Sequence, residues 1–485
     1  MMWKPLTGII RIALLGCFLT VAYSAPESDQ RSLVDAIERG DFETFERLIG
    51  AVADVNAIDE RGRSLLLVAV DRGDLNAIWA LLLRGADPNL ADRDGRTPLL
   101  VAAGRGDATI TQALLIKGAS TTVEDRQKRR PLQLAAEGGA SSTVQALVAA
   151  GADVNMGGPQ RTTPLLGAAE TGDAATVRAL LAAGADAKVR NSRNETALHF
   201  AASRGDAAMV QSLLMAGAAA DAPDRDGRTP VMIAAAGGEG AALHALIQAG
   251  ADFEQRDKEK RSPLLLAVEM GDVMSVQSLL AAGADPNTPD RNKNTPLLEA
   301  SRRGFIVAAQ ALLAAGADVN ARNKKNERAL LLAIEKGFSP LGLSLLTHPD
   351  IEVNFKDKHG LTPLMWSCVA GRTSLVAALI ARGAKVKEKD HSGQTPLMWA
   401  AAGMYAELVQ LLLDAGADVN ARAEHRMTAL MVAASKDDPA TVKALAAAGA
   451  KLHARAENGQ TAMMMAAQRG HVGAVRALKQ AGAEK

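Results

Sequence analysis

The residues best suited to chemistry are spread along this chain without forming a catalytic pattern. The sequence contains no Gly-Lys-Ser phosphate loop, dinucleotide fingerprint, Cys-x-x-Cys pair or His-Glu-x-x-His motif. Gly-Asp pairs recur in phase with one another, so we interpret them as helix starts and not as catalytic carboxylates: Gly73-Asp74, Gly106-Asp107, Gly205-Asp206 and Gly271-Asp272. The sequence therefore predicts no enzyme activity, no catalytic residue and no cofactor, and a cryptic enzyme is the less favoured alternative.

Histidine is the other residue type that could bind a metal. Three of the eight histidines, His359, His391 and His425, follow each other at nearly regular spacing in the C-terminal third. Packed helical repeats lie about 10 Å apart, whereas zinc needs ligand atoms at about 2 Å. We therefore expect solvent-exposed histidines and no metal site, with pH sensing as an alternative.

Composition excludes several classes of protein. The chain has 485 residues and a formal net charge of +1, and without Lys4 and Arg11 it carries 53 basic against 54 acidic residues. A polyanion-binding protein with one basic face is not expected, so we predict no nucleic-acid partner. Hydrophobic residues make up 48% but aromatic residues only 3%, which favours stacked layers of small aliphatic side chains over several bulky cores.

The N-terminus has the pattern of an export signal. Lys4 and Arg11 precede an apolar run from Ile12 to Ala22, and the small residues Ala22 and Ser24 lie where a signal peptidase cleaves. We predict a signal peptide at residues 1–24, a polar lead-in at 25–31, and export, to the periplasm in the first place and to the extracellular space in the second. An uncleaved anchor is the first alternative, but eleven apolar residues are short for a span of about 20.

A lipoprotein signal ending at Cys17 is the second alternative to cleavage after Ser24. Cleavage after Ser24 leaves Cys368 as the single thiol, so the mature chain cannot form an internal disulfide. We expect no membrane insertion of the mature chain, and a monomer.

An internal repeat of 33 residues organises the rest of the chain. A pair typified by Thr97-Pro98 returns in steps of 33 from residue 64 to residue 328 and, after one step of 34, from residue 362 to residue 461. A second series, the glycine typified by Gly85, runs in phase with it to Gly482. The extra residue falls within 347–352, because Leu345-Leu346 still keep register with Leu279-Leu280. The insertion should therefore lengthen a turn and spare the helices.

Each repeat predicts two short helices and a turn-rich segment. Thr97 is expected to cap a first helix that begins with a proline, and small residues such as Ala102-Ala103 allow a neighbour to pack closely. A second helix from Ala108 to Lys117 follows and ends at Gly118. The segment before the next first helix, such as residues 85–96, should project as a hairpin-like turn, which we call a finger.

The repeat resembles the ankyrin repeat, in "DGRTPLLVAA" at 94–103 and "DAGADVNA" at 414–421. The resemblance covers almost all of residues 32–485 in about fourteen units, the first of which lacks a finger and starts at Ser32. It implies an all-α ankyrin-repeat solenoid, and with the export signal it favours a bacterial origin.

Departures from the family pattern point to local differences in rigidity. The family's usual histidine survives only as His199 and is replaced by leucine or methionine elsewhere, as in Leu100 and Met365, which exchanges hydrogen bonding for apolar packing. Gly158-Pro159, Met404 and Asp437 also break the turn pattern, and we expect local loosening there.

Four aromatic residues are concentrated in a short stretch, which is the strongest anomaly of composition. Phe355, Trp366, Trp399 and Tyr405 lie within 51 residues, and the two tryptophans occupy the same position in consecutive repeats. Leu332, Val432 and Met465 continue that row. Because tryptophan is a frequent interface anchor, we predict that Trp366, Trp399, Tyr405 and Met465 bind a partner; the alternative is that the indoles merely cover adjacent helices.

Lysines on the fingers form the second candidate surface. Lys258, Lys260, Lys324 and Lys325 lie on fingers of the central repeats, interleaved with acids such as Asp257 and Glu259. They could attract an acidic protein partner, or they could simply be the solvent-exposed residues of a turn.

Repeat stacks expose a long concave surface and commonly serve as binding scaffolds. The resemblance therefore implies a protein–protein interaction scaffold that uses its concave face and fingers. A secreted effector that engages host proteins is the alternative.

Overall fold

The computed structural model describes residues 27–50 and 54–483. The predicted signal peptide, residues 1–24, lies outside the described residues. Within them the chain forms 28 α-helices and two 3-10 turns, and no named strand, so the predicted all-α repeat fold is confirmed. The helices belong to two compact units, the first made of residues up to Pro230 with Ala241–Ala251 and the second of Val231–Gly240 with the residues from Asp252 onward.

The helices of the first unit pair in sequence as first and second helices of successive repeats. They are α1 (Glu27–Arg39), α2 (Phe42–Ile49), α3 (Leu65–Arg72), α4 (Leu75–Leu83), α5 (Pro98–Gly104), α6 (Ala108–Ile116), α7 (Pro131–Glu137), α8 (Ser141–Ala149), α9 (Pro164–Thr171), α10 (Ala174–Ala182), α11 (Ala197–Ser203) and α12 (Ala207–Met215). The next pair is α13 (Pro230–Gly237), most of which belongs to the second unit, and α14 (Gly240–Gln248), most of which belongs to the first.

The second unit continues the same alternation. Its remaining helices are α15 (Pro263–Met270), α16 (Val273–Ala282), α17 (Pro296–Arg303), α18 (Ile306–Ala314), α19 (Ala329–Glu335), α20 (Ser339–Leu346), α21 (Pro363–Val369), α22 (Thr373–Ala381), α23 (Pro396–Ala402), α24 (Ala406–Asp414), α25 (Ala429–Ala434), α26 (Pro439–Ala447), α27 (Ala462–Gln468) and α28 (Val472–Gln480).

The first helix begins earlier than the sequence pattern predicts. The expected start was Ser32, whereas α1 begins at Glu27. No glycine or proline lies between these positions, so nothing in the backbone chemistry ends the helix there. Most of the predicted lead-in at 25–31 is therefore helical.

Helix starts follow the predicted capping chemistry. The Thr97 hydroxyl accepts the Leu100 backbone N–H, and Pro98 occupies the first helical position of α5. Asp107 accepts the Ile110 N–H at 2.9 Å and so caps α6. Asp74, Asp206 and Asp272 cap second helices in the same way, which confirms that the Gly-Asp pairs are helix starts.

The core of each unit consists of aliphatic layers between helices. In the repeat of α5 and α6, Ala102 and Ala103 are buried and let the neighbouring first helix approach, while Leu114 is fully buried. The adjoining Leu115 is only half-buried. Truncating a fully buried leucine to alanine typically costs about 2–5 kcal/mol, so such layers make a large contribution to stability.

The fingers are tight turns closed by main-chain hydrogen bonds. In the finger before α5, the Asp92 N–H donates to the Arg96 carbonyl at 3.0 Å. Within the second unit, neighbouring fingers are also joined to each other, for example by the Lys324 N–H donating to the Asn292 carbonyl at 2.9 Å. Such bonds tie neighbouring fingers to one another.

The irregular turns lie where the sequence departs from its repeat. The residues of the one-residue insertion, 347–352, follow the end of α20 and lie outside any helix, as predicted. Gln160, Arg161, Met404 and Asp437 adopt positive φ angles between 54° and 62°, a region that costs non-glycine residues energy. Local loosening at these turns stays a prediction.

The longest described helix, α1, has 13 residues. This is well short of a membrane span, and no helix in residues 27–50 or 54–483 combines the necessary length with an apolar sequence.

Candidate functional site

The two predicted tryptophans hold equivalent positions in the second unit. Trp366 and Trp399 are the fourth residues of α21 and α23, and both are half-buried. The Trp366 Nε1 donates to Asp357 Oδ2 at 2.9 Å, and the Trp399 Nε1 donates to Asp390 Oδ2 at 3.0 Å. Each indole is thus tied to the finger that precedes its own helix.

These two bonds replace a contact that other repeats make within the finger. The Arg261 Nε donates to Asp257 Oδ2 at 2.9 Å, and the Asn294 side chain does the same to Asp290. The corresponding residues in the tryptophan repeats are Leu361 and Gln394. The indole N–H supplies the missing donor, so the tryptophans have a structural role in addition to presenting part of their rings to solvent.

Tyr405 lies at the other end of the first helices. It occupies the N-cap position of α24, is 37% exposed, and has its ring against Gly371 and Gly403, which follow α21 and α23. The adjoining Met404 is 55% exposed. The contacts therefore place Tyr405 at the turn between first and second helices and the tryptophans at the fingers.

Tyr405 belongs to a row of residues that sequence reasoning missed. Phe305, Phe338 and Arg372 occupy the same N-cap position in the three preceding repeats. In the repeat before those three, this position is held by Asp272, which caps its helix. Each side chain lies so close to a glycine of the preceding repeat that an added Cβ would lie within 2.9 Å of it. The signal was present in the sequence, because these residues break the Gly-Asp series.

Met465 is placed differently from the expectation. Its side chain is buried, with 8% exposure, and the accessible methionine of α27 is Met464 at 43%. Leu332 in the same row is buried as well, and Val432 is half-buried. The accessible part of the predicted row is therefore limited to Trp366, Trp399 and Val432.

The four predicted lysines are all exposed on fingers of the second unit. Lys258 and Lys260 lie on one finger, and Lys324 and Lys325 lie on a later one. In the part of the chain that the structure describes, none of the four has a carboxylate within 4.0 Å. Lys260 adopts a φ of 62°, a conformation that glycine takes in other fingers.

One of these lysines borders a polar groove of about 890 Å³. Lys293, Arg322, Lys324 and Arg328 line it together with Asp318 and Glu352. The Arg328 side chain is only 9% exposed, pairs with Glu352 and lies 4.4 Å from the centre of the Phe355 ring. Arg328 stands where most repeats have a capping threonine or serine, and α19 accordingly lacks a side-chain cap.

A charged network near this groove was not expected from the sequence. Glu299 continues the row of the tryptophans, is 7% exposed, and accepts bonds from Arg302 and Arg303. Arg302 also donates to Glu327 at 3.2 Å. Burial works against ionisation of Glu327, but hydrogen bonds from Asn323 and the charge and hydrogen bond of Arg302 lower its pKa overall. Arg302 therefore links Glu299 of its own helix to Glu327 on the following finger.

The histidines have separate environments. His359, His391 and His425 are exposed on different fingers, and the described residues contain no group of three metal-binding side chains. His199 is buried in the first unit, where its Nδ1 accepts the Thr196 N–H at 3.1 Å and its Nε2 lies 3.2 Å from the Arg228 carbonyl. Burial lowers the pKa of His199.

In at least one repeat where another residue replaces this histidine, the hydrogen bond from the backbone N–H of the capping threonine is kept. The Met365 sulfur lies 3.4 Å from the Thr362 backbone nitrogen and accepts its proton. A thioether is a weak acceptor, so the expected exchange of hydrogen bonding for pure apolar packing is only partial there.

Comparison with known proteins places these repeats in one family. The family model of ankyrin repeats (three copies) matches residues 33–125, 66–158, 99–191, 165–257, 232–323, 264–357, 330–423 and 422–485. Among solved structures, the chain is similar to the crystal structure of the human ASB11 ankyrin repeat domain, with 28% sequence identity over 46% of this chain and 98% of that one and a TM-score of 0.39. No curated protein matches the chain.

Proposed function

Because the chain belongs to the ankyrin-repeat family, whose members generally mediate protein–protein interaction and are typically non-enzymatic, we propose that it is a binding scaffold. Its partner is another protein, which contacts the finger-side surface of the second unit around Trp366 and Trp399. No catalytic step is part of this proposal.

The observation that carries this proposal is the pair of half-exposed indoles in consecutive repeats. Positions with a structural role recur from repeat to repeat, whereas Trp366 and Trp399 stand where other repeats have Leu332 or Val432. Their N–H groups are held by Asp357 and Asp390, so the rings are fixed before a partner binds. Fixed aromatic side chains lose little conformational entropy on binding and make effective anchors.

The tryptophans can be tested directly by measuring affinity for the partner. We expect the double variant Trp366→Ala, Trp399→Ala to weaken partner capture by about 30-fold or more, since truncation of an anchor typically costs about 2 kcal/mol or more. Capture under mild cross-linking identifies the partner, and titration of that partner gives the affinity.

Trp79 provides a matched control, because it is also half-buried but lies in α4 of the first unit. Trp79→Ala should leave the affinity unchanged, and circular-dichroism melts should show all variants folded. Normal binding by the double variant would refute the proposed surface.

We also propose that the chain acts outside the cytoplasm. The support is the leader-like pattern at residues 1–24, together with a single remaining thiol, Cys368, that is buried. Burial raises the pKa of the Cys368 thiol and disfavours its reactive form. Such a chain would avoid unwanted disulfides in an oxidising compartment.

A further inference from the structure

A second groove of about 680 Å³ lies beside the fingers that hold the two tryptophans. It is lined by Lys356 and by residues 383–389, which include Lys385, Lys387 and Lys389, and we call it the lysine groove. Lys356 directly precedes Asp357, the acceptor for Trp366, and Lys389 directly precedes Asp390, the acceptor for Trp399. The lysine groove therefore lies on the same two fingers that hold the tryptophans of the proposed binding surface.

The lysine groove carries positive charge that the protein itself does not neutralise. Its lining contains four lysines and one acid, Glu388, which pairs with Lys356 at 3.0 Å and lies 3.7 Å from Lys385. The Lys389 Nζ donates only to the Arg422 carbonyl, at 2.8 Å. Among the described residues, neither Lys387 nor Lys389 has a carboxylate within 4.0 Å. This leaves two cations available to a ligand.

Lys385 stands where other repeats have a turn-closing aspartate. In the second unit Asp318 accepts the Asn320 N–H at 2.8 Å, and Asp418 accepts the Asn420 N–H at 2.9 Å. A lysine cannot accept this bond. The repeat of the lysine groove has thus exchanged a stabilising hydrogen bond for a charge.

Lys387 replaces an asparagine that bridges adjacent repeats. The Asn354 Nδ2 donates to the Gly383 carbonyl at 3.1 Å, and its Oδ1 accepts the Lys385 N–H at 2.9 Å. Asn420 makes the same pair of bonds to Gly449 and Lys451. Lys387, between these two repeats, makes neither bond. Loss of stabilising contacts in favour of exposed charge is typical of a surface kept for function.

We propose that the lysine groove binds an acidic segment of the protein partner. The carboxylates of this acidic segment pair with Lys387 and Lys389, while an adjoining apolar side chain of the partner contacts the indole of Trp399. This assignment rests on the proposed function and specifies the chemistry of its partner. A protein segment fits better than a nucleic acid, because the lining has no aromatic side chain on which a base could stack.

The test uses a fluorescein-labelled peptide of twelve glutamates, with a peptide of twelve glutamines as reference. Fluorescence anisotropy should show saturable binding of the glutamate peptide only. The double variant Lys385→Asp, Lys387→Asn restores the residues of the sibling repeats. We expect it to weaken binding by about tenfold or more. We also expect it to raise the melting temperature, because the turn-closing bond of the aspartate and the two bridging bonds of the asparagine return.

Lys451→Asp is the matched control. Lys451 occupies the position of Lys385 in a later repeat but does not line the lysine groove, so this variant should keep its affinity for the glutamate peptide. The assignment is overturned if the glutamate peptide does not bind, if the double variant binds it normally, or if Lys451→Asp loses as much affinity. It is also overturned if single-stranded DNA of twelve nucleotides binds the groove more tightly than the peptide. None of these outcomes bears on the scaffold function itself, which is tested separately by the affinity of the tryptophan variants for the partner.

Discussion

At the scale of single residues, the same position performs different tasks in different repeats. The acceptor role of His199 is taken by a methionine sulfur at Met365, and the donor role of Arg261 is taken by the indole of Trp399. A residue that looks functional in the sequence can therefore be partly structural. Trp399 has both roles, because its N–H is used internally while its ring is half-exposed.

His199 should make the stability of the first unit sensitive to pH. The Nδ1 of its ring accepts the Thr196 N–H, and burial lowers the pKa of the ring below the unfolded value of about 6.5, outweighing the hydrogen bond to the Arg228 carbonyl, which acts in the opposite direction. The unfolded chain then binds more protons as the pH falls through that unfolded pKa, so stability is lost on acidification. We expect a lower melting temperature at about pH 5.5 than at about pH 7.5.

The matched variant for this prediction is His199→Leu, since Leu100 and Leu166 occupy the same position in other repeats. It should have a smaller difference in melting temperature between the two pH values than the unmodified protein. An identical difference in both proteins would show that His199 does not contribute.

At the scale of elements, the second helices begin in two different ways. Asp74, Asp107, Asp173 and Asp206 cap second helices in the first unit. Phe305, Phe338, Arg372 and Tyr405 replace that aspartate in four successive repeats of the second unit, and their helices have no side-chain cap. Each of these side chains contacts a glycine of the preceding repeat. This packing between repeats takes the place of the capping hydrogen bond within the repeat.

Restoring a cap should therefore have different effects in the two units. Ala140 precedes α8 without a capping side chain, and Ala140→Asp should raise the free energy of unfolding by about 1 kcal/mol. Phe338→Asp gains a similar cap but loses the half-buried ring over Gly304, worth about 1 kcal/mol, so its net change should be close to zero. Denaturant unfolding measures both.

Asp206→Ala supplies the reverse control and should lower the free energy of unfolding by about 1 kcal/mol. If Phe338→Asp stabilised the protein as much as Ala140→Asp, the phenyl ring would contribute nothing to the stack. The aromatic row would then need a role outside folding.

At the scale of the whole molecule, the repeats account for the described residues almost completely. Fourteen helix pairs leave little chain outside the stack at either end of that part. The pattern typical of an export signal lies in residues 1–24, outside the described residues. Their sequence combines basic residues, an apolar run and a small-residue cleavage pattern.

We expect the protein to be exported and its mature chain to begin at Ala25. Intact-mass analysis of the mature chain should therefore show loss of residues 1–24. Ala22→Arg places a large charged residue at one of the two small-residue positions of the cleavage pattern and should leave the precursor uncleaved. A chain that retains Met1, or one that begins at a lipidated Cys17, would contradict this prediction. Recovery from the culture medium and not from the periplasm would favour the secreted effector.

The sequence by itself determined the fold, because a strict repeat makes each local signal count many times. Thr97-Pro98, the Gly-Asp pairs and the phase shift at 347–352 each predict a helix start or a turn that the structure confirms. Capping and turn formation depend on residues within a few positions of each other, and such interactions can be deduced without knowledge of packing.

Only the tertiary structure decided which side chains meet and which are buried. The bonds of Trp366 and Trp399 to Asp357 and Asp390, and the burial of Met465 beside the exposed Met464, depend on side-chain directions at the junction of finger and helix. The row through Phe305 and Phe338 and the lysine groove depend on the register between one repeat and the next. The contacts of this second group join residues of neighbouring repeats, about 33 positions apart. A periodic sequence shows that such residues occupy equivalent positions, but it does not show which of their atoms touch.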